Sequence, residues 1–478
     1  MSKKNYTIPL IVVTGLFFMW GFITSMNDIL IPYLKKVFEL NYFEAMLVQF
    51  SFFGAYFIGS VIYFIISAGK GDPIMRIGYK NGIIAGLLLS AFGLFLFYPA
   101  AAYKIYGIFL TALFILGLGF TLLQIAANPY VARLGPAETA SSRLNLSQAF
   151  NSFGTTIAPV IGGYFVFHYF IKWGKPFLDK LGNPITLNSG ETISAYGVQL
   201  PYVIFALIFV IMAVIIKVTK LPVINEEHEI PSGMGALRYK QLVYGMIAIF
   251  MYVGAEVSIG SILISFMGEK YSISEMQAKS FLAFYWGGAM IGRFLGAISM
   301  SDINNAVKKY SMMFVVAIVV FLLIYTVVWI ESDFNFSLNS VLPFIAFIVI
   351  NFIAFILGKS LPARTLMIFA LINVILLIIA MNSTGQIALW SLLSIGLFNS
   401  IMWSNIFTLA IDGLGKYTSQ GSSLLVMMIL GGAVIPVIQG VVADKLGVHS
   451  SFLVPILSYF YLVYYGWKGF KKGKWKFN

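Results

Sequence analysis

Apolar runs long enough to cross a bilayer recur along almost the whole chain, separated by short polar stretches. They fall at about 8–34, 43–68, 80–99, 105–132, 142–170, 198–217, 240–267, 275–299, 310–330, 341–358, 364–381, 386–411, 420–443 and 450–467. A helix of about 20 apolar residues spans a hydrocarbon core ~30 Å thick. Only helices and closed barrels satisfy every backbone polar group in lipid, and continuous rather than alternating runs point to helices. The pattern therefore predicts an all-α integral membrane protein of fourteen spans.

Two polar stretches interrupt this rhythm. Residues 218–238, with Pro222 and Pro231, read as a cytoplasmic linker that divides the chain into 1–217 and 239–478. Residues 171–197 read as an outer loop with room for a short surface helix. A faint repeat relates Ile157-Ala-Pro-Val-Ile-Gly-Gly163 to Val434-Ile-Pro-Val-Ile-Gln-Gly440, each following a Ser-Ser pair. Related halves around a linker suit alternating-access transporters, although common helix composition also produces such likeness.

Composition agrees. Hydrophobic residues make up 59% of the 478, charged residues 10%, and mean hydropathy is +0.89. No water-soluble fold hides that much apolar surface. The formal charge of +13 comes mainly from Lys and Arg between the apolar runs, where they set orientation rather than bind nucleic acid. Lys3, Lys4, Lys70, Arg76, Arg133, Lys217, Lys308 and the lysine-rich tail favour both termini in the cytoplasm, as an even number of spans requires. The first run is long and polar-marked, unlike a cleavable leader. There is no cysteine and only three scattered histidines, which argues against disulfides, thiol catalysis and a metal site. Nucleotide-binding and hydrolase motifs are also missing, so neither an ATP-driven pump nor an enzyme is expected, and no cofactor beyond a coupling ion.

Polar residues inside spans are costly and mark interior paths. Asp28, beside Asn27 on the first span, is either a proton carrier or a solvated carboxylate near the outer headgroups. Gln124 and Asn128 share a face of the fourth span at i,i+4, next to Pro129, which permits a kink. Asn145, Gln148, Asn151 and Ser152 stripe the fifth. Neutral amides donate and accept, which suits hydroxyl-rich ligands, but they also glue helices together. Glu256 is the other deep carboxylate: an ion site, a substrate contact or a structural partner for a buried arginine. Arg293, placed at the cytoplasmic end of its span, is expected to anchor loops and to join Asp72 and Arg76 in gating. Asn399, Trp403 and Asn405 mark the twelfth span. Trp20, Trp286 and Trp403 either stack on a ligand or simply pack.

Several stretches resemble the fucose/galactose/glucose–proton symporter family of the major facilitator superfamily, most of all its bacterial glucose/galactose transporter branch. They are residues 17–34 (FFMWGFITSMNDILIPYL), 122–136 (LLQIAANPYVARLGP), 141–159, 252–261, 286–296, 396–415 and 421–440. The resemblance implies the major facilitator fold: two six-helix bundles with a monosaccharide bound between them. The two surplus spans map to an extra helical hairpin at about 305–360. It also implies that Asp28 matches a proton-coupling aspartate, while Gln124 replaces a second carboxylate, leaving coupling to Asp28 alone or to sodium. Gln148 and Asn151 match sugar-associated positions, and Met402-Trp403-Ser404 departs from the usual Phe-Pro or Tyr-Pro. The loop from Gly69 to Lys80 is a loose version of the superfamily's gate motif.

The resulting expectation is a monomeric bacterial cytoplasmic-membrane symporter, in contact with lipid and importing a monosaccharide. Asp28 and Glu256 are assigned to coupling by H+ or Na+. Asn27, Gln124, Asn128, Gln148, Asn151, Trp286, Asn399 and Trp403 are assigned to substrate. The rivals are a major facilitator carrier of another small solute, such as an amino sugar or an exported drug, and a membrane glycosyltransferase. The latter would need carboxylate clusters and basic interfacial loops that this chain lacks.

Overall fold

The computed structural model describes residues 6–475 apart from 41, 179–181, 187–191, 225–231, 272–274, 333 and 335. Among the described residues, thirteen helical stretches are long and apolar enough to cross a membrane. In chain order, the helices are α1 Thr7–Val37, α2 Tyr42–Lys70, α3 Tyr79–Phe95 continued by Phe97–Tyr103, and α4 Tyr106–Arg133. Then come α5 Ala140–Tyr164, α6 Tyr196–Val218, α7 Lys240–Tyr271, α8 Glu275–Ser299, α9 Ala306–Glu331 and α10 Leu342–Gly358. The last are α11 Pro362–Asn382, α12 Gly385–Asn399 with Met402–Ile411, α13 Thr418–Met427 with Gly431–Leu446, and α14 Leu453–Tyr464.

Helix α5 is the fourteenth crossing. It falls short on hydropathy because it is lined with Asn145, Ser147, Gln148 and Ser152, all buried. It can carry them because it lies between α1 and α8 instead of facing lipid.

The helices form two bundles with matching internal pairings. In the first, α1 packs on α5, α2 on α4, and α3 on both α4 and α6. In the second, α7 packs on α13, α8 on α12, and α11 on both α12 and α14. The correspondence holds once α9 and α10 are set aside, so this pair is the inserted hairpin. It leans against α8 and α11 and is only 33% buried along each helix, whereas α12 behind it is 94% buried. Helices α5 and α13, which carry the faint sequence repeat, occupy equivalent places.

Glycine sets the closest crossings. A Cβ on Gly154 of α5 would strike the Phe18 carbonyl of α1, and one on Gly431 of α13 would strike the Phe250 carbonyl of α7. Small residues are what let membrane helices approach this closely.

Two sequence expectations need correction. Residues 171–197 form no surface helix among the described residues. Extended segments pair instead, with Phe177 N donating to Ile193 O (2.7 Å), Ile185 N to Phe177 O (2.9 Å) and Ile193 N to Ile185 O (2.8 Å). The Tyr33 hydroxyl donates to Ser194 O at 2.9 Å and ties this loop to α1. Helix α4 runs as α-helix through Pro129, while α12 breaks at Ser400–Ile401 and α13 at Met428–Leu430. Second, Arg293 is not at the end of its span. It lies six residues before Ser299, about 9 Å inside α8.

Candidate functional site

The bundles meet along a seam between α5 and α8. From the linker end inward, Ser142 Oγ donates to the Ala297 carbonyl (2.6 Å), Phe150 packs on Phe294 (ring centroids 5.6 Å), and an Arg293 guanidinium N–H donates to Ser152 Oγ. The last step is Thr156 Oγ1 donating to Met290 Sδ at 3.8 Å. One turn further along the same face of α8 is Trp286, 43% exposed. The bundles are therefore joined from mid-membrane to the linker end.

The linker end is locked by a network of hydrogen bonds centred on Asp72 and Gln420. Asp72 is fully buried and caps the short helix Pro73–Ile77, accepting from Ile74 N (2.9 Å) and Met75 N (3.2 Å). It also accepts from the Tyr63 hydroxyl (2.6 Å) and Ser67 Oγ (3.2 Å). Ser67 in turn accepts from Gln420 Nε2 of α13 at 3.2 Å. The same Gln420 holds the linker, donating to Gly233 O (2.9 Å) and accepting from Ala236 N (3.0 Å). Arg76 is separate: it is exposed and donates to the Lys70 carbonyl. Further inward, Ser141 and Thr408 pair at 2.6 Å, and Asn145 donates to Asn405 at 3.3 Å.

Mid-membrane residues of the first bundle are amides with free capacity. Gln124 is buried, with the Tyr56 hydroxyl as its partner, and Tyr56 also receives Trp20 Nε1 at 3.4 Å. Gln148 is buried and has no hydrogen-bond partner among the described residues. Asn151, half-buried, donates to the Phe17 carbonyl at 3.0 Å. Asn128 is one turn nearer the linker end than Gln124, and neither of its amide atoms has a partner. Among the described residues Asn27 is likewise unpartnered, seven residues beyond Trp20 on α1, about 10 Å further from the linker end. Asp28 follows it on α1, and its side chain lies outside the described residues. Leaving a buried polar atom unpaired costs ~1–3 kcal/mol, so such groups call for an occupant.

The second bundle supplies charge and an aromatic face. Trp403 is buried and stacked on Phe407 (6.1 Å), with its indole N–H unpartnered. Glu256 is buried beside Tyr252 and Arg293, and its Oε1 has no partner. Arg293 Nε donates to the Ser400 carbonyl at the break in α12 (3.3 Å). Asn399, by contrast, is fully engaged. Its Oδ1 accepts from Tyr459 (2.7 Å) and Asn373 (2.9 Å), and its Nδ2 donates to Tyr285 (3.1 Å). Trp20 is packing, set between Phe17 and Phe120.

The helix registers thus bring Gln124, Gln148, Asn151, Glu256, Arg293 and Trp403 towards one level at the seam. They leave Asn128 below that level and Asn27 and Trp286 above it. The sequence reading missed Tyr252, Tyr285, Tyr459, Ser67 and Gln420. Tyr252 was findable as the i,i+4 neighbour of Glu256; Ser67 and Gln420 read as span-end residues.

Two equivalent bundles closed at one end around an intramembrane polar level define a major facilitator transporter. The Major Facilitator Superfamily profile matches residues 13–334, and the chain belongs to that superfamily. Within it, the chain belongs to the branch of the glucose/galactose transporters and L-fucose–proton symporters, a family of carriers and not of enzymes. It is 43% identical over 98% of its length to the glucose/galactose transporter of Brucella abortus, covering 96% of that protein. It is 31% identical to the L-fucose-proton symporter of Escherichia coli over 96% of this chain and 92% of that one. The structure of FucP in the outward conformation superposes with a TM-score of 0.73 at 29% identity, covering 97% and 99% of the two chains.

Proposed function

We propose that this protein is a proton-coupled monosaccharide symporter of the bacterial cytoplasmic membrane, working by alternating access as a monomer. The bundles of residues 1–217 and 239–478 rock about the 218–238 linker, with both termini cytoplasmic. The observation that carries the reading is an uncharged amide set at the seam: Gln148 and Asn128, without hydrogen-bond partners among the described residues, beside Gln124, with the unpartnered indole N–H of Trp403 on the second bundle. Such amides match ring hydroxyls, and an indole face covers the C–H face of a pyranose. The relatives' names add support, being those of glucose/galactose transporters and L-fucose–proton symporters.

In this reading Gln124, Gln148, Asn151 and Trp403 contact the sugar at mid-membrane. Asn27 and Trp286 line its approach, and Asn128 takes it on the way inward. Asn399 positions Tyr285 and Tyr459. Asp28 and Glu256 carry the coupling ion, assigned as H+ rather than Na+ because two relatives are proton symporters. Asp72, with Ser67 and Gln420, holds the inner gate, and Arg76 stays at its surface.

Counterflow in proteoliposomes without any ion gradient tests the substrate. Vesicles loaded with one unlabelled hexose are expected to take up the same labelled hexose transiently, with glucose, galactose or fucose active and a pentitol inactive. Equal rates in empty and protein-containing vesicles for every sugar would rule the reading out.

A further inference from the structure

Glu256 is the residue the sugar-binding account uses least, yet it has the most specific surroundings. It lies on α7 with one carboxylate oxygen unpartnered and the Tyr252 hydroxyl on the carboxyl group. Its charged partner is Arg293 of α8, which Tyr252 also hydrogen-bonds. The other titratable groups facing it are Tyr285 of α8, whose hydroxyl donates to the Glu256 carbonyl at 2.8 Å, and Tyr459 of α14. Arg293 has a second set of partners: Ser152 Oγ on α5 and the Ser400 carbonyl at the break in α12. Arg293 thus feels the charge of a buried carboxylate on its own bundle while its guanidinium contacts the opposite bundle.

We propose that Arg293 reports the protonation state of Glu256 to Ser152, so that the proton and the bundle contact share one cation-binding carboxylate. This rests on the symport reading above and deepens it. With Glu256 ionised, its charge draws the guanidinium towards α7. When a proton adds to the free oxygen, Glu256 becomes a neutral acid and that attraction is lost. The fork of Arg293 is then held by Ser152 and Ser400, and the bundles stay joined. Proton loading without sugar therefore leaves the carrier waiting instead of leaking. Sugar at Gln148, one turn from Ser152 on α5, competes for that contact and releases the seam. The proton leaves Glu256 to the other compartment once the cleft opens there.

The test measures three quantities on the full chain in proteoliposomes: hexose counterflow, protons taken up per sugar, and proton leak without sugar. Glu256→Gln is expected to lower gradient-driven accumulation at least about tenfold more than it lowers counterflow, and at least to halve the protons moved per sugar. Glu256→Asp is expected to restore part of the stoichiometry, which a purely structural role would not. Ser152→Ala leaves the carboxylate in place and is expected to raise sugar-free proton leak about threefold or more, providing a readout should Glu256→Gln fail to insert. Wild-type stoichiometry in Glu256→Gln, or unchanged leak in Ser152→Ala, would overturn the proposal. Failure of the wild type to exchange any hexose would instead strike the symport reading, since leak is measured without sugar.

Discussion

Asp28→Asn is expected to abolish uphill accumulation of sugar while retaining a substantial part of its exchange. Asp28 lies on α1, one residue past Asn27 and about 12 Å beyond Trp20, away from the linker end. A carboxylate can bind and release a proton within the cycle, whereas an amide of the same shape cannot. Each proton moved across 100 mV contributes ~2.3 kcal/mol, enough for about fiftyfold accumulation. In the variant, that ratio is expected to fall to about one, because downhill movement needs only the sugar site and the rocking bundles. Labelled sugar in proteoliposomes with an imposed inward proton gradient, assayed beside counterflow, separates the two effects. Undiminished accumulation would remove Asp28 from coupling, and equal loss of both activities would assign it to folding or to the sugar.

Gln148→Ala is expected to weaken sugar binding about tenfold to a hundredfold with little change in the melting temperature of the empty protein. The amide is buried, has no hydrogen-bond partner among the described residues, and lies on the stripe with Ser152 that faces the second bundle. Removing it takes nothing from the fold's own hydrogen bonds. In the loaded state it removes a donor and an acceptor, each with a net effect of ~0.5–1.5 kcal/mol, and leaves sugar hydroxyls unpaired. Gln148→Asn keeps the amide but shortens its reach, and is expected to fall between the two. Calorimetric titration of the detergent-solubilised protein reads affinity directly. Unchanged affinity in Gln148→Ala would move the sugar away from α5.

The helices were legible in the sequence because the bilayer imposes a length and a polarity on each span. All fourteen fell within a few residues of their observed ends, and α5 was included despite its polar stripe. The inserted hairpin was legible by subtraction, and its place became physical once the helix pairings of the two bundles matched without it. Arg293 was misplaced for a physical reason. A long basic side chain near a span's end reads as a snorkelling anchor, and only a carboxylate one helix away makes deep placement tolerable. The outer loop was misread because its strands are pinned by contacts from elsewhere: Lys36 donates to the Thr186 carbonyl and Lys104 to that of Leu178. Asn399 looked like a ligand residue because its partners Tyr285, Asn373 and Tyr459 come from three other helices. Gln148 and Asn128 looked like either ligands or glue, and their lack of protein partners favours the former.

The most direct measurement is accumulation of labelled hexose by the wild-type protein in proteoliposomes, with proton and sodium gradients imposed separately. The account predicts concentration of one hexose above equilibrium under the inward proton gradient, collapse of that concentration when a protonophore is added, and simple equilibration under the sodium gradient. Equilibration under both gradients, in protein shown to exchange the same sugar, would contradict proton-coupled symport and leave a passive carrier in its place.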